Sequence, residues 1–228
     1  MAVLSDFNAK VAITVKDSAG IFTSADRDDF IEQAVRAYSR DKPRHQDALI
    51  TGDGTAQEFA TPSGWVDRFS VPILLEHPVG EVPARILDLQ DNLEVVQVSN
   101  VQKIQLTTIT LAAAETARIK YSTPHTVDGA GSSVPDSDFD SVCDLAASFL
   151  ARGLAAFYAE ETNSTIAADV VAGASRADTF ARLASDLFEA YKEHIAQGEV
   201  VTGVLVYQDQ DIRDRWGRDF ITHRSRWR

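Results

Sequence analysis

Apolar residues recur at helical spacing in residues 20–43. Phe30 and Tyr38 are eight residues apart with an alanine midway between them, which places all three on one face of an α-helix. Thr23 or Ser24 can cap the start, acidic residues fill the first turn, and a proline follows the end. The pattern therefore predicts a helix that packs its apolar face on another element.

Two further helices are predicted over residues 137–160 and 172–196, where Phe, Leu, Ala and Tyr return at helical spacing. Gly198 is placed to end the second of them. Residues 127–138 are rich in Gly, Ser, Pro and Asp, and we expect a disordered linker there. Residues 8–20 fit either a strand or a short helix, because their β-branched residues oppose their alanines.

The pattern changes between residues 45 and 126 to short runs rich in β-branched and aromatic residues. Turn-forming sequences such as TGDGT, PVGEVP, QDN and SN separate these runs. Several short strands at this spacing are typical of a small antiparallel sandwich or barrel.

The C-terminal segment has a different composition from the rest. Residues 199–208 alternate like a strand, and residues 209–228 combine Trp and Arg without helical or strand periodicity. Because Trp and Arg contribute much of the energy of protein interfaces, we expect an arm that docks on another protein, with folding back onto its own subunit as the alternative. The residues predicted to dock are Arg213, Arg215, Trp216, Arg218, Phe220, Arg224, Arg226 and Trp227.

These elements together predict an α+β protein. A helical bundle is expected from residues 1–44 and 127–198, with an antiparallel β sandwich or barrel-like subdomain inserted at residues 45–126. Residues 199–228 are expected to form a C-terminal strand and the extended docking arm.

Charge is distributed unevenly along the chain. The formal net charge is −12, yet residues 211–228 hold six Arg and three Asp, a net +3 that leaves −15 on residues 1–210. An acidic body of this size opposes a general attraction to nucleic-acid phosphates. Binding of nucleic acid through the Arg- and Trp-rich arm is a less favoured alternative to protein docking.

Patterns that carry catalysis or metal binding are missing from the sequence. The Gly-rich residues 51–55 lack the GK[ST] of a phosphate loop and are predicted to form a hairpin turn. Cys143 lies in an apolar run and is expected to be a buried core residue, and the histidines at 45, 77, 125, 194 and 223 show no metal-binding spacing. We therefore expect no enzyme, no cofactor and no metal.

No signal-like segment and no run near the roughly 20 apolar residues of a membrane span is apparent in the sequence. The expectation is therefore a protein made in the cytoplasm that does not contact a membrane.

The order of several segments resembles the head–tail connector adaptors of long-tailed bacteriophages. The resemblance covers residues from about 20 to 197 and rests on AYSRDKPR, TGDGT, RFSVPILLEHPVG, ARIKYSTPHTVD, SVPDSDFDSVCDLAASFLARGLAAFYA and SRADTFARLASDLFEAYKEHI in that order. These phrases are not catalytic motifs, so their specificity lies in their order and spacing.

The resemblance implies a helical bundle with a β insertion, assembled as a ring, typically of twelve copies, in the neck of the virion. Such a ring would dock on the portal protein through its C-terminal extension and meet a stopper or tail-completion protein on its other face. Genomic DNA would pass through the lumen without specific binding. A stopper or tail-completion protein of the same connector is the alternative function.

Overall fold

The computed structural model describes residues 2–17, 19–160 and 167–208, with side chains except at 167–175 and 198–208. The chain divides into two compact units, residues 1–146 and 147–228, which we describe separately. Helices and antiparallel strands are both present, which confirms the predicted α+β class. The grouping of residues 1–44 with 127–198 into one bundle stays a prediction.

The first unit begins with helices α1 (Leu4–Thr14) and α2 (Ser24–Asp41). The predicted cap is confirmed at Thr23, whose Oγ1 accepts from the backbone N–H of Asp26 while the Asp26 carboxylate accepts from the Thr23 backbone N–H. Residues 8–14 of the ambiguous segment near the start are helical, and Phe7 and Val11, one turn apart on α1, are both fully buried.

A four-stranded sheet holds strands β1 (Arg44–Thr51), β3 (Pro72–Glu76), β4 (Ile86–Leu87) and β7 (Thr116–Thr123). Its order is β1-β7-β3-β4, and all neighbours are antiparallel. The first and last long strands, β1 and β7, pair over their full length from Arg44 opposite Thr123 to Thr51 opposite Thr116. The two ends of the β region are therefore brought together at one place.

A second sheet, of three strands, has the order β2-β6-β5, with β2 (Glu58–Ala60), β5 (Leu93–Val98) and β6 (Val101–Leu106). The short helix α3 (Leu89–Asn92) leads into β5. The predicted turn between β5 and β6 forms at Ser99 and Asn100, which both have positive φ. That conformation is the one required by a two-residue hairpin turn and favours Asn.

The two sheets share one hydrophobic core. Side chains from both sheets are buried in it, including Leu75 and Ile119 of the first and Ile104 and Leu106 of the second. This arrangement corresponds to the sandwich form of the prediction. The barrel-like form is wrong for the described strands, because β1 and β4 remain opposite edges of an open sheet.

The expectation of a disordered linker at residues 127–138 is wrong. Val127 and Ser132 form an isolated bridge, and the Asp128 side chain accepts hydrogen bonds from the backbone N–H groups of Ala130 and Gly131. The Gly and Ser residues of this segment serve a tight turn, which sequence composition does not distinguish from disorder. A single 3-10 turn (Asp136–Asp138) then leads into helix α4.

Helix α4 (Phe139–Glu160) confirms the helix predicted at 137–160. Among the described residues, one helical stretch, 136–160, could cross a membrane by length and composition. Of its apolar 18-residue segment, 56% is buried inside the protein. Buried core helices pass the same test, so this feature is weak support for a membrane span.

The second unit contains the C-terminal part of α4 and helix α5 (Ala167–Gln208). The rings of Tyr158 and Phe180 stack with centroids 5.7 Å apart, and the guanidinium of Arg152 lies 5.2 Å from the Phe188 ring centroid. Aromatic and cation–π contacts therefore join the two helices.

Two predictions at the C-terminal end are wrong, since helix α5 passes through Gly198 and covers residues 199–208, where a strand was expected. Each residue added to an existing helix gains a backbone hydrogen bond. A glycine in the helix costs only about 1 kcal/mol of helix stability relative to alanine, and a β-branched residue costs less. Alternation of apolar residues was therefore not sufficient to specify a strand.

Candidate docking sites

The eight residues predicted to dock, Arg213, Arg215, Trp216, Arg218, Phe220, Arg224, Arg226 and Trp227, lie outside the described residues. The docking role of the arm therefore stays a prediction. The described part of the chain offers three other features, which are a polar junction at the base of the β insertion, a projecting loop and a groove.

The junction is centred on Asp138, which is 2% exposed. Its Oδ2 accepts a hydrogen bond from the hydroxyl of Tyr38 and lies 2.6 Å from the ammonium nitrogen of Lys42. Burial and the neighbouring carboxylate both raise the pKa of Tyr38, so its hydroxyl keeps its proton and remains a donor. One carboxylate thus ties the end of α2 to the start of α4.

His125 completes the junction immediately after β7. Its Nδ1 lies 2.9 Å from the carbonyl oxygen of Ser133 and its Nε2 lies 3.1 Å from that of Lys42. Its backbone N–H donates to the hydroxyl of Ser39, which is fully buried on α2. The ring therefore bridges the chain entering the β insertion and the chain leaving it, and burial lowers its pKa.

A projecting loop joins β3 to β4, and we call residues 77–85 the knob. Its base is held by Glu76, which is 5% exposed and accepts hydrogen bonds from the Gly80 backbone N–H and the Arg118 guanidinium, each at 3.0 Å. The backbone N–H of His77 also donates to the carbonyl of Arg85 across the loop. These bonds fasten the loop at its base, while residues 81–85 are exposed to solvent.

The tip of the knob is apolar and exposed. Val82 is 98% exposed, and Ile86, the first residue of β4 at the base of the knob, is 61% exposed. Pro83 and Ala84 between them are also exposed. An apolar group of this kind on a held loop is typical of a protein contact rather than of a loop that only connects two strands.

The groove lies at the opposite side of the sandwich from the knob. It runs between β1 and β2, which are edge strands of their two sheets, and has a volume of about 490 Å³. Leu49, Phe59, Pro62 and Asp47 are among its lining residues, and Leu49 is 60% exposed. An uncovered strand edge beside an exposed Leu is a surface at which another chain can bind.

The sequence motifs considered for chemistry have structural roles. The Asp53 carboxylate accepts from the backbone N–H groups of Thr55 and Ala56, which lowers its pKa. This arrangement closes a turn, but the predicted hairpin is wrong, because the flanking strands β1 and β2 lie in different sheets. Cys143 is fully buried, and burial raises the pKa of its thiol to about 12. In the part of the chain that the structure describes, no group of three metal-binding side chains occurs.

Sequence reasoning missed the knob and the junction. The knob had a local signal, since EHPVGEVPARI places apolar residues beside Pro and Gly where a polar turn was expected. The junction had none, because Tyr38 and Asp138 are separated by 100 residues and come together only when the sandwich folds.

Comparisons with known proteins gave only remote likenesses. No family model and no curated protein matches the chain. Among solved structures, a chain of the virion of a native gene transfer agent particle is similar at 13% identity, covering 66% of this chain and 81% of that one with a TM-score of 0.28.

Two further structures are necks of such particles. One is the neck of an empty particle computed with C6 symmetry (14% identity, 64% of this chain, 76% of that chain, TM-score 0.28). The other is the neck of a native particle computed with C12 symmetry (13% identity, 76% and 86%, TM-score 0.28). At these TM-scores the likeness carries no argument about the fold or the function of this chain.

Proposed function

We propose that this protein is a structural component of the neck of a phage-like particle, an adaptor whose ring lies between the portal and the stopper or tail. The observation that carries the proposal is a two-sheet β sandwich inserted between helices α2 and α4. This is the architecture that the sequence resemblance to head–tail connector adaptors implies.

The junction supports the proposal because it fixes the insertion at its base. Full-length pairing of β1 with β7 and the contacts of His125 and Asp138 close the point where the chain leaves and rejoins the helices. An insertion fixed in this way can present binding surfaces at a constant position, as a ring component requires.

The charge distribution also supports the proposal. The net charge of −15 on residues 1–210 would repel the phosphates of DNA that passes through the lumen of a ring, so the genome would not be held there. The basic arm would dock on acidic groups of the portal protein. The proposed partners are further copies of the chain in a ring of twelve, the portal, and a stopper or tail-completion protein.

The experiment is an electron cryo-microscopy reconstruction of the purified chain mixed with the portal ring of the same virus. We expect a ring beneath the portal, with density for residues 211–228 on portal subunits. A chain that binds only to a preformed adaptor ring would identify the stopper or tail-completion function instead. A chain that binds neither would refute the neck function.

A truncated chain provides the matched control. Removal of residues 211–228 is expected to leave the thermal unfolding of the body unchanged and to abolish attachment to the portal. A variant with Ala in place of Trp216, Phe220 and Trp227 keeps the charge of the arm and separates apolar anchoring from electrostatic attraction. Retained attachment of both variants would refute docking by the arm.

A further inference from the structure

The knob and the groove lie at opposite edges of one molecule. The four-stranded sheet has the order β1-β7-β3-β4, so the groove beside β1 and the knob beside β4 are separated by the width of the sheet. A closed ring of identical copies needs two different surfaces on each copy, placed so that one meets the other on the next copy.

From this placement we infer that the knob of one copy docks into the β1–β2 groove of the next copy, and that the β insertion thereby joins neighbouring subunits. The inference rests on the proposed function, since it names the contact between copies in the ring. Its occupant is a second copy of this chain.

Exposed apolar side chains lie on both sides of this contact. Val82 exposes one on the knob, Ile86 one at its base and Leu49 one on the groove, at 98%, 61% and 60% of their surface respectively. Because Glu76 already holds the loop, docking would order few additional degrees of freedom, and this lowers its entropic cost.

Charge is complementary as well. The knob carries Glu81 and Arg85, both exposed, and β1 carries Arg44 and Asp47, also exposed. Within the described residues no ion pair involves any of these four side chains. Of the two charged residues on β1, Asp47 lines the groove, so Arg85 of one copy can pair with Asp47 of the next beside the apolar contact.

The first test uses one substitution on each surface. Val82→Asp alters the knob and Leu49→Asp alters the groove, and both positions are exposed enough to accept a carboxylate in the folded monomer. Val101→Asp, at the 57% exposed first residue of β6, is the matched control. Self-association of the full-length chains is measured by sedimentation over a range of concentrations.

We expect wild type and Val101→Asp to associate equally and each of the other two variants to associate at least about tenfold more weakly. An equimolar mixture of Val82→Asp and Leu49→Asp chains should form dimers and nothing larger, because only one intact knob and one intact groove remain between them. Asp47→Arg and Arg85→Asp should each weaken association, and the double exchange should restore it.

Several outcomes would overturn the inference. They are equal association of wild type and both surface variants, failure of the mixed variants to dimerise, and wild type that stays monomeric at every concentration. The neck function is judged separately by binding of the same chains to the portal ring. If all variants form the portal-bound ring, the inference about the contact fails and the neck function stands. If wild type associates through this contact but does not bind the portal ring, the inference stands and the neck function fails.

Discussion

Gly52 provides a sharp test of the packing between β1 and the turn before β7. Its backbone N–H donates to the carbonyl of Glu115, and its carbonyl accepts from the N–H of Ala114. A Cβ at this position would lie 2.4 Å from the Leu111 Cβ, 2.6 Å from the Ala112 carbonyl oxygen and 2.7 Å from the Leu111 carbonyl oxygen. Two of these atoms belong to the backbone, so no rotation of a side chain can relieve the overlap.

The Gly52→Ala variant is therefore expected to force a backbone shift in the insertion. Overpacking of this kind costs about 1–3 kcal/mol of the free energy of unfolding. For a chain of this size, that loss corresponds to a fall in Tm of roughly 2–12 °C. Calorimetry and urea unfolding followed by circular dichroism measure the two quantities.

The matched control is Gly129→Ala. Gly129 is exposed, its φ is not positive, and a Cβ there meets nothing within 4 Å. Alanine should leave stability unchanged or raise it by about 0.4–1 kcal/mol, because it reduces the conformational freedom of the unfolded chain. If Gly52→Ala unfolds within about 0.5 kcal/mol of this control, the close approach of the Gly52 backbone to residues 111–112 does not limit the fold.

Three further predictions follow from burial. Burial lowers the pKa of His125 below its value of about 6.5 in the unfolded chain, so the unfolded state binds the proton more readily. The free energy of unfolding of wild type should therefore fall as pH falls from 8 to 5. Urea unfolding of His125→Gln should show a smaller fall over the same pH range, and an equal fall would contradict this cause. Ile119→Ala should lower the free energy of unfolding by about 2–5 kcal/mol and Ile86→Ala by less than about 0.5 kcal/mol, since the first side chain is fully buried and the second is 61% exposed. Similar losses for the two variants in urea unfolding would contradict the assignment of Ile119 to the core. The Cys143 thiol should resist iodoacetamide at pH 8 until the protein is denatured, because it is fully buried with a pKa raised to about 12, and labelling of the native protein detected by mass spectrometry would argue against that burial.

Elements governed by neighbouring residues were predictable from the sequence. The capping pair of Thr23 and Asp26 fixes where α2 begins, and both partners lie within three residues of each other. The same holds for the hairpin at Ser99 and Asn100, where the backbone conformation is set by the turn itself. The α+β class followed because such local signals change character near residues 44 and 126.

Predictions failed where local signals were balanced or absent. The segment around Val11 had both strand-like and helix-like residues, and burial of Phe7 and Val11 on one helical face decided the outcome. The alternating residues 199–208 are helical because helix α5 extends through them. In the first place burial decided the secondary structure, and in the second the helix that the residues extend decided it.

The helices with marked ends, the strand-rich middle and the acidic charge of the body could be predicted from the sequence, because they depend on composition and on contacts within a few residues. The tertiary structure was needed to show that Asp138 meets Tyr38 and Lys42, that Glu76 holds the knob, and that the knob and the groove lie at opposite edges of the four-stranded sheet. Those features join residues that are remote along the chain or depend on the order of strands in a sheet. The hydrophobic pattern constrains which residues are buried, but strand order follows from the packing of the whole sandwich.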